Sequence, residues 1–521
     1  MPTQTTPSTM GFAPPHASLS DEVREVLDAL MRGETDTQLQ PEWAPHMAKG
    51  LEQVEAFLQM HHSDMASFES LAARDSASWA EHVKHAEDEA DFNARMRPVQ
   101  ESLEVQLKLH DLKVGRPGRP DDSVYQKSEY ARKRMPRGNC VAEWTSPETQ
   151  QTYWFPVVRA YRKFTGHEDG GETKGKLETE VLSKFFTKSL NDARTVITTT
   201  KENGEAAHLA VLKRADGQYL YAVGSKNTHM IVTSADDIEA ACEAVTRGSN
   251  GGNPYVAAAV LGKAVLNMLD QLTPANRQFL CEFLWQTRLT ASFEVLCPDH
   301  QHVQLLDYLT ENTPVFYGFS FAAMEPPAGA DICINPVLPY VLMRHLGVRT
   351  VQFRVLDYTP DTVAAALHDI KHTHQHEGAV NLLLDENACV IGLEKYKTVW
   401  YVCLRAIREK AKRCVNTIMS KKENQRKTLE IALDETKKQM RKRFKSIKVF
   451  LDLTPEICDA YCTLGENFVE YLTLTRLATA DAKEKEELRK SVGDMFPIVW
   501  KEVLEATNTD DRIGAMRDTV Q

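Results

Sequence analysis

The apolar positions of this chain change period twice. From Ser20 to about Leu112 they recur at helical spacing: Val23, Val26, Leu27 and Leu30 follow i, i+3, i+4, i+7, and Leu51, Val54, Leu58 and Met65 continue in that style. Arg116-Pro-Gly-Arg-Pro-Asp-Asp122 breaks the pattern with two prolines and a glycine and reads as a linker. From about Ser123 to Arg405 the chain is mixed. Short strand-like runs (Tyr219–Val223, Ser292–Leu296, Val315–Phe321, Thr350–Val355, Val380–Leu384) alternate with helical stretches such as Pro254–Leu272. After Tyr396 the helical period returns, with Leu464, Phe468, Tyr471 and Leu472 on one stripe. The pattern predicts an α+β fold: a central domain at 123–408, an all-helical region at 21–115 before it and a helical domain at 409–521 after it. Residues 1–20, rich in Pro, Thr and Ser, read as a disordered tail, and the chain contains no internal repeat.

Composition adds little to this picture, and charge adds more. At 42% hydrophobic and 26% charged, the 521 residues have the make-up of a soluble globular protein of several domains. No run approaches the roughly 18 apolar residues of a membrane span. Residues 1–20 lack a signal peptide's basic start and apolar middle and a transit peptide's arginines, so cytosol or nucleus is expected. The ten cysteines stand singly apart from Cys458 and Cys462, with no Cys-x-x-Cys, which predicts reduced thiols. The net charge of −11 is unevenly spread. Arg405–Lys448 holds sixteen Lys/Arg against five Asp/Glu, a local +11 that leaves −22 for the remainder. Such asymmetry suits a surface for a polyanion. Ile407, Ala411, Val415 and Ile418 form a helical stripe among these cations, so a solvated helix face is the alternative.

Lys201 closes one apolar run and is followed by Glu202, Asn203 and Gly204 before the next run begins. A lysine at such a junction is either a turn residue or an amine presented to a pocket, where burial and neighbouring cations would make it a nucleophile. Further chemistry-bearing residues follow in order. Lys226 ends the Tyr219–Asn227 segment, and Glu294 sits inside the apolar Ala291–Pro298. Thr313–Ser320 is aromatic, and Glu377 precedes a glycine and a strand. Lys395 and Lys397 are two apart, so an extended chain turns both to one side.

In this order the segments resemble the covalent nucleotidyltransferase superfamily, whose polynucleotide ligases and capping enzymes attach a nucleoside monophosphate to a lysine. Within it they look like the phage-type ATP-dependent RNA ligases, especially the RNA ligase 1 branch. Phe293-Glu-Val-Leu-Cys-Pro-Asp-His-Gln-His-Val303 is similar to that branch's Phe-Glu-x-x-x-Pro-x-x-x-x-Val segment. The resemblance covers about Arg137 to Arg408 and implies a core of antiparallel sheets with helices, ATP as substrate and Mg²⁺ or Mn²⁺ as cofactor. It implies that Lys201, with Glu202, Asn203 and Gly204 beside it in the ATP site, takes AMP from ATP. By the same resemblance Glu294 would recognise the ribose, Lys226 the sugar or the acceptor's terminal phosphate, and Phe319 would stack on adenine. Glu377 would hold the metal, while Lys395 and Lys397 would bind the α-phosphate and pyrophosphate. Met135-Pro-Arg-Gly138 and Tyr161-Arg-Lys-Phe164 are similar to elements that precede the nucleophile, which places Arg137, Arg162 and Lys163 as ATP-phosphate contacts. Arg405, Arg408, Lys412 and Arg413, just beyond the lysine pair, are candidates for the RNA backbone.

The residue chemistry agrees with these roles. A lysine with its ordinary pKa is only about one part in a thousand neutral at pH 7, and two further lysines and a metal would lower that pKa. A carboxylate such as Glu377 suits Mg²⁺, which takes oxygen ligands. Two departures stand out: Asn203 replaces the superfamily's usual Asp, and Leu382–Leu384 lacks a lysine often found there. Gly170–Leu177 nearly spells a P-loop but ends in Leu177 where Ser or Thr would bind Mg²⁺. His368, His372, His374 and His376 are either a histidine-lined loop or a zinc site. The expected function is ligation of RNA 5′-phosphate and 3′-hydroxyl ends, with end-healing left to separate enzymes and no membrane partner. The rivals are a capping guanylyltransferase or a DNA ligase, which usually carry a β-rich domain after the lysine pair, and a non-catalytic RNA-binding protein.

Overall fold

The structure, a computed structural model, describes residues 10–35, 38–61, 66–115, 121–166, 178–246, 255–420 and 427–513. The start of the expected tail (1–9), Met65, most of the expected linker (116–120) and the P-loop-like Gly170–Leu177 lie outside them. The fold is α+β, with three sheets and many helices.

The first sheet runs β1 (Phe92–Pro98), β2 (Leu107–Val114), β3 (Asn139–Thr145), β4 (Thr152–Arg159), antiparallel throughout. It corrects two expectations. The region before residue 115 is not all helical: helices occupy Asp21–Met31, Ala44–His61, Phe68–Arg74 and Ser76–Asp88, after which the chain becomes sheet. Nor does 116–122 separate two units, because β2 pairs with β3 across it. The strands escaped notice for a physical reason. β1 is a largely exposed edge, Phe-Asn-Ala-Arg-Met-Arg-Pro, with no apolar alternation to show, and β2 buries His110 and Asp111 among its leucines. The tail is likewise ordered from residue 10 onward. Phe12 is buried against Phe68, Trp144 and Phe155, and Ala13 donates to the carbonyl of Lys213. One aromatic ring anchors a stretch whose composition is otherwise that of a coil.

The second sheet contains β7 (Glu205–Lys213), β8 (Tyr219–Ser225), β9 (Thr228–Val232), β10 (Leu289–Leu296) and β11 (Thr313–Phe321), in the order β11-β10-β7-β8-β9. The helices Val256–Gln271 and Pro274–Thr287 pack their apolar faces on it. The third contains β5 (Thr165–Gly166), β6 (Thr195–Lys201), β12 (Phe353–Asp357), β13 (Gly378–Leu384) and β14 (Val390–Lys397), in the order β12-β6-β13-β14-β5, with only β5 parallel to its neighbour.

Beyond β14 the described chain is helical, at Val399–Ile418, Leu429–Leu451, Pro455–Glu470, Ala482–Asp494 and Phe496–Thr507, with a π-helical turn at Tyr471–Leu477. Thr398, Thr428 and Thr454 cap three of these helices by accepting a first-turn amide. The helices enclose their own core, including Ile407, Met440, Phe444, Tyr461, Phe468 and Trp500. No helix among the described residues is long and apolar enough to cross a membrane. The ten cysteines are free thiols, eight of them buried.

Candidate active site

Strand register brings the chemistry together. Lys201, the last residue of β6, pairs with Gly378 at the start of β13, and Gly378 pairs with Lys397 of β14. One step inward, Thr199, Val380 and Lys395 form the next row. Alternation puts Thr199 and Lys201, Val380 and Leu382, and Lys395 and Lys397 on one face of the sheet, which floors a cavity of about 370 Å³. Gly378 has φ +150°, and a Cβ there would stand 1.9 Å from the carbonyl oxygen of Tyr396, so this row closes only around glycine. The facing wall comes from the second sheet: Gly204 and Glu205 at the start of β7, Glu294 on β10, Tyr317 on β11 and Lys226 in the β8–β9 turn.

The amine of Lys201 lies 2.8 Å from Oε1 of Glu377, with Lys201 22% and Glu377 7% exposed. The expectation of a depressed lysine pKa is corrected here. Burial disfavours the charge, but Glu377 and then Glu294 outweigh it and hold the amine above its ordinary range. Glu377 feels burial upward, yet Lys201 and Lys397 keep it below the usual carboxylate range. Glu294 is pushed up to about 7 by burial, against the pull of Lys201, and its Oε1 accepts the Gly204 amide at 3.2 Å. Glu202 accepts from the Thr200 hydroxyl at 2.8 Å.

Arg137, Arg162 and Lys163 also line the cavity, each beside a carboxylate. Arg137 pairs with Asp121 at 2.5 Å, Arg162 with Asp331 at 3.3 Å, and buried Lys163 with Asp122 at 2.5 Å. Burial, aided by Arg137 and Lys395, takes Lys163 down to about 8.

Several expected residues lie elsewhere. Asn203 sits behind Glu377 rather than in the cavity lining. Its amide donates to Glu377 Oε2 at 2.8 Å, and its carbonyl oxygen accepts from the backbone of Val303 at 3.1 Å and Gln304 at 3.2 Å. A side chain that both donates and accepts is needed there, which carboxamide supplies and carboxylate does not.

Phe319 is 1% exposed and packs on Phe283 and Phe316 in the core, so the adenine-stacking expectation is corrected. The ring that this segment gives to the cavity is Tyr317, which lines it together with Tyr161, Phe164 and Tyr340. A register shift between Ser292 and Phe293 leaves Tyr317 as the extra residue of a bulge in β11, so Phe316 and Phe319 point inward together while Tyr317 turns to the cavity. The aromatic run was visible in the sequence, but the bulge that selects among its rings was not.

Tyr401 was also missed. Its hydroxyl accepts from Asn203 at 3.4 Å, and Lys397 Nζ lies 5.8 Å from its ring centre. None of Arg405, Arg408, Lys412 and Arg413 lines the cavity. Arg405 pairs with Glu409 at 3.1 Å on its own helix, Arg408 donates to the carbonyl of Gly493, and Lys412 and Arg413 are exposed. The histidines at 368–376 do not converge on one point: His374 Nε2 meets Asp511 Oδ1 at 3.0 Å, and the rings of His368 and His372, one helical turn apart, meet tilted at 4.3 Å between centres.

The sequence profile described as Domain of unknown function (DUF7920) matches residues 118–408, more than half of the chain. The chain belongs to the DUF7920 family. Every cavity-lining residue falls inside the DUF7920 match, whereas β1 and β2 lie before it. No curated protein matches the chain. Among solved structures, this DUF7920 member is similar to an archaeal ATP-dependent RNA ligase, form 1, at 10% identity and a TM-score of 0.41, over 79% of this chain and 85% of that one.

Proposed function

We propose that this protein is an ATP-dependent RNA ligase of the covalent nucleotidyltransferase superfamily, acting through Lys201. The observation that carries the reading is the contact of Lys201 Nζ with Glu377 Oε1 at 2.8 Å, in a cavity floored by Lys395 and Lys397. A buried amine oriented by a carboxylate, faced by cations that fit a triphosphate, suits a covalent phosphoramidate mechanism. Glu377 orients the Lys201 amine, which gives its proton to water and forms a bond to the α-phosphorus of ATP, while the bond to the pyrophosphate oxygen breaks. Lys395, Lys397, Arg162 and Lys163 neutralise the phosphate charge as it shifts. AMP then passes to an RNA 5′-phosphate, and a 3′-hydroxyl displaces it. Tyr317 takes the base-facing role in place of Phe319, and Glu294 holds the ribose.

A divalent ion fits the same site. Both oxygens of Glu377 already accept hydrogen bonds, from Lys201 and Asn203, and each keeps a further lone pair. These are hard oxygen donors of the kind Mg²⁺ or Mn²⁺ takes, and the bound ion would neutralise triphosphate charge. End-healing is left to separate enzymes.

The test is covalent labelling. Wild-type protein incubated with α-labelled ATP and Mg²⁺, then denatured, is expected to carry label that Lys201→Ala loses. Label from GTP instead would make the chain a capping-type guanylyltransferase. Absence of any adduct would leave a non-catalytic RNA-binding protein.

A further inference from the structure

A second groove, of about 510 Å³, opens directly beside the cavity, and Arg137 and Lys226 line both. Its outer walls are β1 and β2 on one side and the β8–β9 turn on the other. Asn93 of β1 stands opposite Lys113 of β2, and Arg95 lies two residues along β1 on the same face. The groove thus collects Arg95, Lys113, Arg137 and Lys226 from four separate segments. Its one carboxylate, Asp121, is engaged by Arg137 at 2.5 Å.

What sets these cations apart is their place, in a concavity that adjoins the cavity. The chain carries a net −11, and of the seven cations on the helix Leu429–Leu451 three are paired, Lys437 with Glu470 at 2.5 Å, Arg441 with Glu466 at 2.6 Å and Lys438 with Asp434 at 2.7 Å. Arg95, Lys113 and Lys226, by contrast, form no ion pair with any described carboxylate. Arg95 and Lys226 are also exposed. Grouped cations with few carboxylates among them repel one another unless a polyanion lies between them.

We propose that this groove is the track of the RNA phosphate backbone, delivering the strand to the cavity between Arg137 and Lys226. The inference rests on the ligase reading and adds to it the path of the substrate. The backbone lies over β1 and β2, which stand outside the family-matched residues, with Arg95 and Lys113 holding phosphates distant from the reacting end. Asn93 and Asn227 at the groove wall supply neutral hydrogen-bonding groups beside the cations.

The experiment uses the full chain and a single-stranded RNA with a 5′-phosphate, with binding followed by fluorescence anisotropy across a salt series. Arg95→Ala with Lys113→Ala is expected to weaken binding about tenfold or more, and to flatten the log–log salt slope by about 1.4, two contacts at about 0.7 each. The charge-keeping exchange Arg95→Lys with Lys113→Arg is expected to bind as wild type does. An unchanged slope in the alanine pair, or equal weakening in the charge-keeping pair, would overturn the track. Labelling by ATP is measured on the same samples so that the two readings can fail separately. Wild type that takes no label sinks the ligase mechanism, whereas label with an unchanged RNA slope sinks the track alone.

Discussion

Lys201 with Glu377 and Arg97 with Asp111 are both ion pairs drawn inside by strand pairing, at 2.8 and 2.7 Å. Beyond that the two clusters part. Asp111 is saturated: its Oδ2 accepts from Arg97 and from the His229 backbone at 3.2 Å, and its Oδ1 accepts from His229 Nδ1 at 2.7 Å. His229 in turn meets His208 at 3.1 Å, and Arg97 lies 4.6 Å over the ring of Tyr255. One cation answers one anion, neither residue lines the cavity or the groove, and the network ties β1 and β2 of the first sheet to β9 of the second. Around Lys201 the charged groups border an open space. Two carboxylates share one amine, two further lysines stand beside it, and all of them face a void of about 370 Å³. Saturated burial away from any void holds sheets together, whereas charged groups that line an open space can meet a ligand.

The largest expected effects break this contrast if it is wrong. Asp111→Ala leaves Arg97 buried and uncompensated, and is expected to lower unfolding free energy by about 3–5 kcal/mol in urea titrations. Glu377→Gln opens onto a cavity that admits water and leaves Glu294 beside Lys201, so its stability cost is expected near 1 kcal/mol. Its labelling by ATP should nonetheless fall by about 10²–10³-fold. Equal stability losses in the two variants would erase the distinction.

A second comparison sets one ring against another two residues away. Phe319→Ala is expected to cost about 3–5 kcal/mol of stability, as loss of a buried aromatic does. Tyr317→Ala should cost far less and instead raise the ATP concentration for half-maximal labelling about tenfold. Reversed outcomes would return the stacking role to Phe319.

The smallest effect is a pH dependence. Glu294 titrates near 7 in the folded chain, above its ordinary 4.5, so between those values the folded state holds a proton that the unfolded state has lost. Stability contributed by this group is therefore present at acid pH and lost as pH rises through that window. Thermal unfolding in metal-free buffer from pH 5 to 8 should show the decline, and Glu294→Gln should flatten it.

Much of the site was legible because its residues sit where strand ends must be. Lys201, Glu377, Lys395 and Lys397 each lie at a boundary between an apolar run and polar residues, and period-two alternation already put the lysine pair on one side. Three features were not legible, each for a local reason. An exposed edge strand such as β1 has no alternation to detect. The buried Phe12 and the backbone hydrogen bonds that help anchor residues 10–20 are invisible in a composition of Pro, Ser and Thr. A one-residue bulge is a property of two paired strands and cannot be seen in either alone.

The sequence by itself determined which segments are strands around Lys201 and which residue types stand at their ends, because hydrophobic period and local junction chemistry are properties of neighbours along the chain. Register was decided only by the tertiary structure. Pairing Lys201 with Gly378, and Gly378 with Lys397, places the amine against Glu377 and the lysines beside it. Pairing within the second sheet turned Tyr317 to the cavity and buried Phe319, and packing of the first sheet beside it brought Arg95 and Lys113, from outside the family-matched residues, to the adjoining groove. Contacts between residues more than a hundred positions apart depend on how strands align across the core, and the pattern along one strand does not carry that information.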